Sequence, residues 1–181
     1  MNNSSNTKMS SDNIFTTMMA TRKLSLPVAI VSDNIKEKLE VVLAKSIEGK
    51  CVVEGYVKPK TTQIQNYSSG IINGERVEFQ VVYECEVCNP VEGMQIECVA
   101  RNITKAGIRA TTRDDPSPVV IFVARDHHTD VPYFSTIKPE QKINVKVIGQ
   151  RFELNDDYVS IIAEIVVPKF IKKTKKLNIE S

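Results

Sequence analysis

Along TRKLSLPVAIV, the residues Leu24, Leu26, Val28 and Ile30 alternate with polar or small neighbours, the period-two pattern of a strand with one buried face. Pro27 removes a backbone donor inside that run and favours an edge position. The period then changes. In SDNIKEKLEVVLAKSIEGK, Ile35, Leu39, Leu43 and Ile47 recur every fourth residue with Val42 beside them, one apolar stripe of a helix. Ser32 or Asp33 is expected to cap its start by accepting a backbone N–H, and Gly49 to end it. Lys36, Glu37, Lys38, Glu40 and Lys45 make its wet face.

Strand patterns follow. CVVEGYV and TTQIQNY are short candidates around Lys58-Pro59-Lys60. Asn73-Gly74 marks a hairpin turn, because both residue types tolerate positive φ. In ERVEFQVVYECEV the side chains Val77, Phe79, Val81, Tyr83, Cys85 and Val87 fall on one face, with Glu78, Gln80, Glu84 and Glu86 on the other. Asn89-Pro90 stops this strand, and the domain junction is placed there. Beyond it, MQIECVARNI, GIRATT, PVVIFVAR, QKINVKVIGQRFEL and YVSIIAEIVV read as five strands, with the long loop DHHTDVPYFSTIKPE after the third. Five strands with one long connection suit a small barrel. The chain is therefore read as α+β in four parts: a disordered leader at 1–20, rich in Asn, Ser and Met; a first domain at 21–90; a barrel at 91–168; and a basic tail at 169–181.

Charge sharpens this division. The 181 residues carry a net charge of +2, yet the tail KFIKKTKKLNIES alone holds five lysines and one glutamate. The remaining 168 residues hold 19 basic and 21 acidic side chains, a net of −2. Bulk charge therefore does not point to duplex DNA, and any nucleic-acid contact must come from a local face or from the tail. The tail also reads as an import address or a solvated end. No run of about 18 apolar residues predicts a membrane span. The four cysteines, with no secretory signal ahead of them, point to free thiols in a reducing, intracellular setting.

The spacing of Cys85 and Cys88 invites a metal reading. Side chains three apart on a strand point to opposite faces, so Cys85 should face inward and Cys88 outward. Cys98 and the pair His127-His128 would have to complete a zinc set, and no second CxxC or HxxxH is present. Buried thiols are the preferred reading and Cys85 with Cys88 the minority zinc alternative. No cofactor is expected. Nor is catalysis, since a phosphate-cradling Gly-rich loop, a GxSxG elbow and an HExxH motif are all missing from the sequence.

Binding fits better. A five-stranded OB barrel holds single strands on a face that combines cations with stacking groups. Arg101, Lys105 and Arg109 take outward parity, Arg125 and the two histidines follow the third barrel strand, and Arg151 and Tyr158 flank the last hairpin. The run PVVIFVAR does not show which side is wet, and Phe122 reads as core rather than as a stacking group.

The order of parts carries a resemblance. IEGKCVVEGYV, VEFQVVYECEVCNPVEGM, ITKAGIRA and VKVIGQRFELND resemble the larger stalk subunit of archaeal and eukaryotic DNA-directed RNA polymerases over about residues 22–167. ITKAGIRA, FVARDHH and IGQRFELND are most similar to versions carried by large DNA viruses. The resemblance implies a truncated ribonucleoprotein-like tip domain that docks on the polymerase core, joined to an OB barrel of the type repeated in the ribosomal S-one protein. It implies a non-catalytic subunit that pairs with a smaller helical stalk partner and binds emerging single-stranded RNA with little sequence preference. Carried onto this chain, the RNA face is Lys105, Arg109, Arg125, His127, His128 and Arg151. The docking segments are expected around Lys58-Pro59 and Ser68 to Gly70. The nucleus, or a cytoplasmic virus factory or virion, is the implied location. The alternative is a free-standing OB-domain RNA-binding protein of translation or RNA decay.

Overall fold

Val77, Phe79, Val81, Tyr83, Cys85 and Val87 become one continuous buried face of the longest sheet in the computed structural model, which describes residues 14–31 and 33–168. By chain contacts the described residues divide into two units, one of residues 15–89 with 152–158 and one of residues 90–151 with 159–168 and Ile14. Each unit has its own sheet.

In the first unit, β1 (Phe15–Pro27) pairs antiparallel with β6 (Arg76–Cys88) along its whole length, from Phe15 opposite Cys88 to Pro27 opposite Arg76. Between them in sequence come α1 (Ile35–Ile47), β2 (Cys51–Val52), β3 (Gly55–Val57), β4 (Gln63–Tyr67) and β5 (Ile71–Asn73). The sheet runs β1-β6-β3-β2, with β4 and β5 also pairing with β6, so β1 is an edge strand as Pro27 requires. Leu39, Leu43 and Ile47 of α1 are fully buried in one cluster with Leu24, Leu26 and the apolar face of β6. The four-residue stripe thus faces the sheet, as its period demands.

Four local expectations change. Strand β1 starts at Phe15, so residues 15–20 are not a disordered leader: FTTMMA gains its hydrogen bonds from β6, a partner composition does not display. Strand alternation stops at Pro27, and Val28–Ile30 turn as a 3-10 segment that leaves Val28 and Ile30 exposed, with the Val28 N–H donating to the Glu75 carbonyl. The hairpin turn is Gly74-Glu75, one residue later than Asn73-Gly74, because Asn73 still pairs with Arg76. Helix α1 has Asn34 at its N-cap without a side-chain cap bond; Asp33 does not cap it, and Ser32 lies outside the described residues. Residues 1–13 and the basic tail at 169–181 also lie outside them.

Gly55 shows how tightly β3 approaches its neighbour. A Cβ there would stand 2.5 Å from the Cys88 carbonyl oxygen, and φ is +134°. Only glycine lets this hairpin close. The following loop is tied down by Glu48, whose carboxylate accepts from the Lys60 N–H at 2.9 Å and the Thr62 N–H at 3.1 Å. Glu48→Ala should cost this unit about 1.5–3 kcal/mol in a urea unfolding curve, the range for hydrogen bonds to charged groups. An unchanged midpoint would mean the loop holds itself.

The second unit is a closed barrel of β7 (Gln95–Ile103), β8 (Gly107–Thr111), β9 (Val119–Ala124), β10 (Lys142–Arg151) and β11 (Val159–Ile165). Its order β7-β8-β9-β11-β10 closes back on β7, with β9 and β11 parallel and the other pairs antiparallel. This closed mixed barrel is consistent with an OB barrel. Alternate residues such as Ile96, Ile108, Ile121, Val145 and Ile161 fill its interior. The long connection after β9 is two 3-10 turns, Arg125–His128 and Pro132–Thr136, not open loop.

Candidate nucleic-acid interface

The outside of β8 and β9 carries the chemistry. Antiparallel register sets Arg109 opposite Phe122, and parallel register sets Ile162 of β11 beside Phe122. Arg109, Phe122 and Ile162 therefore lie in one row across three strands, with Asn102 of β7 at one end and Gly149 of β10 at the other. Phe122 is 39% exposed and Ile162 50%. Phe122 is thus wet, not core: Val119, Ile121 and Val123 take the inward positions of β9 and leave it the outward parity. Periodicity alone could not choose a side, because all these residues are apolar.

The six residues assigned to RNA divide into two groups. Lys105 stands exposed in the β7–β8 turn, Arg109 exposed on β8, His127 exposed in the first 3-10 turn, and Arg151 exposed at the end of β10, in register with Ser160 of β11. Ser160 lies two positions from Ile162 on the same outer face, which brings Arg151 to the far side of the apolar pair from Arg109. Among the described residues, Lys105, Arg109 and His127 have no side-chain hydrogen bond or ion pair.

Arg125 and His128 belong to the scaffold. The Arg125 guanidinium donates to the carbonyls of Lys105 at 2.9 Å and Thr104 at 3.1 Å, and lies 4.9 Å from the Phe134 ring centroid. It braces the turn that carries Lys105. His128 is 5% exposed. Its Nε2 accepts from the Ile165 backbone N–H at 2.9 Å, so the ring proton is on Nδ1, which donates to the Ala124 carbonyl at 2.7 Å. The ring stacks on Phe134 with centroids 5.2 Å apart. With both nitrogens engaged and the ring buried against Phe134, His128 can neither stack on a base nor act as a general base from this position. Arg101 is likewise committed, to Glu140 at 2.6 Å and Thr111 at 3.1 Å.

The charge on the barrel strands is unbalanced in one direction. Their two acidic side chains are both matched, Glu97 by Arg113 and Glu164 by Lys146, each at 3.3 Å. Arg109 is left as an unmatched cation on the outer face. A polyanion meets no bare carboxylate along these strands.

The cysteines contribute no comparable site. All four are buried thiols. Cys85 points into the first unit's core, where burial pushes its thiol up to about 11, with the nearby Glu54 adding to the shift. Burial likewise raises Cys98 to about 12 and Cys51 to about 11. Thiols so raised stay protonated near neutral pH and make poor ligands and nucleophiles. Cys88 takes the opposite parity from Cys85 but is fully buried, not outward. Among the described residues no three His, Cys, Asp or Glu side chains group closely enough to hold a metal, so Cys85 and Cys88 gain no completing ligands.

The chain is similar over most of its length to known polymerase subunits. It is 26% identical over 166 residues to DNA-directed RNA polymerase II subunit RPB7 of Glycine max, covering 78% of this chain and 92% of that protein. Against DNA-directed RNA polymerase II subunit 7 of Arabidopsis thaliana it is 27% identical with the same coverage. A DNA-directed RNA polymerase subunit of Acanthamoeba polyphaga mimivirus, L376, is 24% identical over 163 residues, 80% of each chain. No family model matches. The resemblance to the larger stalk subunit thus rests on likeness across most of the chain, and it extends to a viral version.

Proposed function

We propose that this chain is a non-catalytic stalk subunit of a multisubunit DNA-directed RNA polymerase. It docks on the polymerase core through its first unit, pairs with a smaller helical stalk subunit, and guides emerging single-stranded RNA across its barrel. The observation that carries the proposal is similarity over most of the chain to named polymerase subunits, two of them covered to 92% of their length. The outer row of Arg109, Phe122 and Ile162 supports the RNA part, since the second and third strands of an OB barrel form its usual nucleic-acid face. A face with so few unmatched cations binds weakly alone, and tethering to the enzyme supplies the effective concentration that bulk charge does not.

An affinity pull-down of the tagged full chain from its native cell, read by mass spectrometry, tests this. The expected result is recovery of the large polymerase subunits together with one small helical protein. Recovery of RNA and ribosomal proteins without polymerase would replace the proposal with a free-standing RNA-binding protein.

A further inference from the structure

We infer that the five lysines between 169 and 176 hold the phosphates of the RNA, as an electrostatic clamp rooted at one end of the barrel. The inference takes its polyanion from the RNA-guiding reading above, but uses a different part of the chain from the row of Arg109, Phe122 and Ile162. It starts from where positive charge sits. KFIKKTKK carries five lysines and no acid in eight residues, whereas residues 1–168 hold 19 basic against 21 acidic side chains. A run of that density meets a linear polyanion charge for charge and releases its counterions.

The fold decides where this segment leaves the barrel. Strand β11 ends with Ile165 opposite Val145 of β10, and the Val166 N–H still donates to the Asn144 carbonyl at 2.9 Å. From Val166 the chain thus runs along the beginning of β10, toward exposed Lys142. On its other side the Ile165 N–H donates to His128 at 2.9 Å, in the 3-10 turn that also presents exposed His127. Arg125 of the same turn holds the Thr104 and Lys105 carbonyls, which brings exposed Lys105 to this end as well. The basic segment is therefore rooted where Lys105, His127 and Lys142 already face water.

Eight residues span at most about 28 Å when fully extended, so all five lysines stay within reach of a strand lying at that end. Two acids, Asp126 and Asp130, are exposed beside the turn, too few to neutralise five lysines. A clamp that is weak alone acts at high effective concentration once the barrel has met the RNA. It should also be indifferent to sequence, because it takes phosphates and not base edges.

The test compares the full chain with one ending at Pro168, and with K169Q, K172Q, K173Q, K175Q and K176Q combined, on a short oligouridylate. The parent's advantage over both variants should shrink about a hundredfold between roughly 50 and 200 mM salt, the slope for about five phosphate contacts on a single strand. Arginine at the same five positions should bind like the parent, and the glutamine variant should keep the parent's unfolding midpoint. Parent-like affinity and salt slope in the glutamine variant would overturn the clamp and leave the barrel reading standing. So would a lowered midpoint with an unchanged slope, which would assign the lysines to the fold. Complete loss of binding in the shortened chain would keep the clamp and remove the barrel from the RNA path. If the parent chain binds no RNA at all, both readings fail together.

Discussion

Replacing His128 with alanine is expected to cost the barrel about 3 kcal/mol in urea unfolding. The ring accepts from the Ile165 N–H and donates to the Ala124 carbonyl, so it joins the end of β11 to the end of β9. Removing it leaves a buried backbone donor unpaired, a loss of about 1–3 kcal/mol, and forfeits a stacked contact with Phe134 worth about 0.5–1.5 kcal/mol. The effect should spread along one line of contacts. Phe134 also meets the Arg125 guanidinium, which holds the turn of Thr104 and Lys105. RNA affinity of the remaining folded protein should therefore fall only modestly. Unchanged stability with lost RNA binding would return His128 to the interface.

Changing Ile71 and Ile72 together to aspartate should reduce recovery of the large polymerase subunits in the pull-down to background. These neighbours lie on opposite faces of β5, in register with Glu78 and Val77, and are 69% and 73% exposed. A hairpin arm that shows isoleucine on both sides already forgoes about 1.5–3 kcal/mol of burial per side chain, which a partner's groove would restore. The segment expected to dock ended at Gly70, immediately before this arm. Within Ser68 to Gly70, Ser68 Oγ accepts from the Gln80 N–H and a Cβ on Gly70 would stand 2.4 Å from a Val77 methyl, which holds the exposed segment against β6. The other expected segment, Lys58-Pro59, is partly engaged through the Lys58 ion pair with Glu86 at 2.7 Å. Both isoleucines are in water, so the doubly substituted chain should stay folded, its midpoint lowered only by aspartate's weak strand propensity and the like charge of Glu78 opposite position 71. Full recovery of polymerase with it would move docking off the arm.

The elements read from periodicity share one property: each announces its own buried face. In α1 the four-residue spacing of Leu39, Leu43 and Ile47 shows which side meets the sheet, and along β6 strict alternation does the same. The barrel strands were equally legible, since turns rich in Gly, Asp and Asn separate them. Residues 15–20 announced nothing, because FTTMMA takes its order from β6, more than sixty positions away in the chain. Exposure on β9 was hidden for the opposite reason, every candidate in the run being apolar.

By itself, then, the sequence determined the kinds and order of elements, the absence of net positive charge outside the tail, and the resemblance to polymerase stalk subunits. Those are properties of local spacing and composition. Tertiary structure alone decided the division of labour among the cations and rings. His128 and Arg125 look like ligand-binding residues in a linear reading, and become scaffold because the chain brings the Ile165 N–H and the carbonyls of Thr104 and Lys105 within hydrogen-bond reach. Phe122 looks like core, and becomes surface because closure of the barrel leaves space inside for only one face of β9. A side chain's role depends on which buried polar groups need a partner, and that is settled only when distant strands meet.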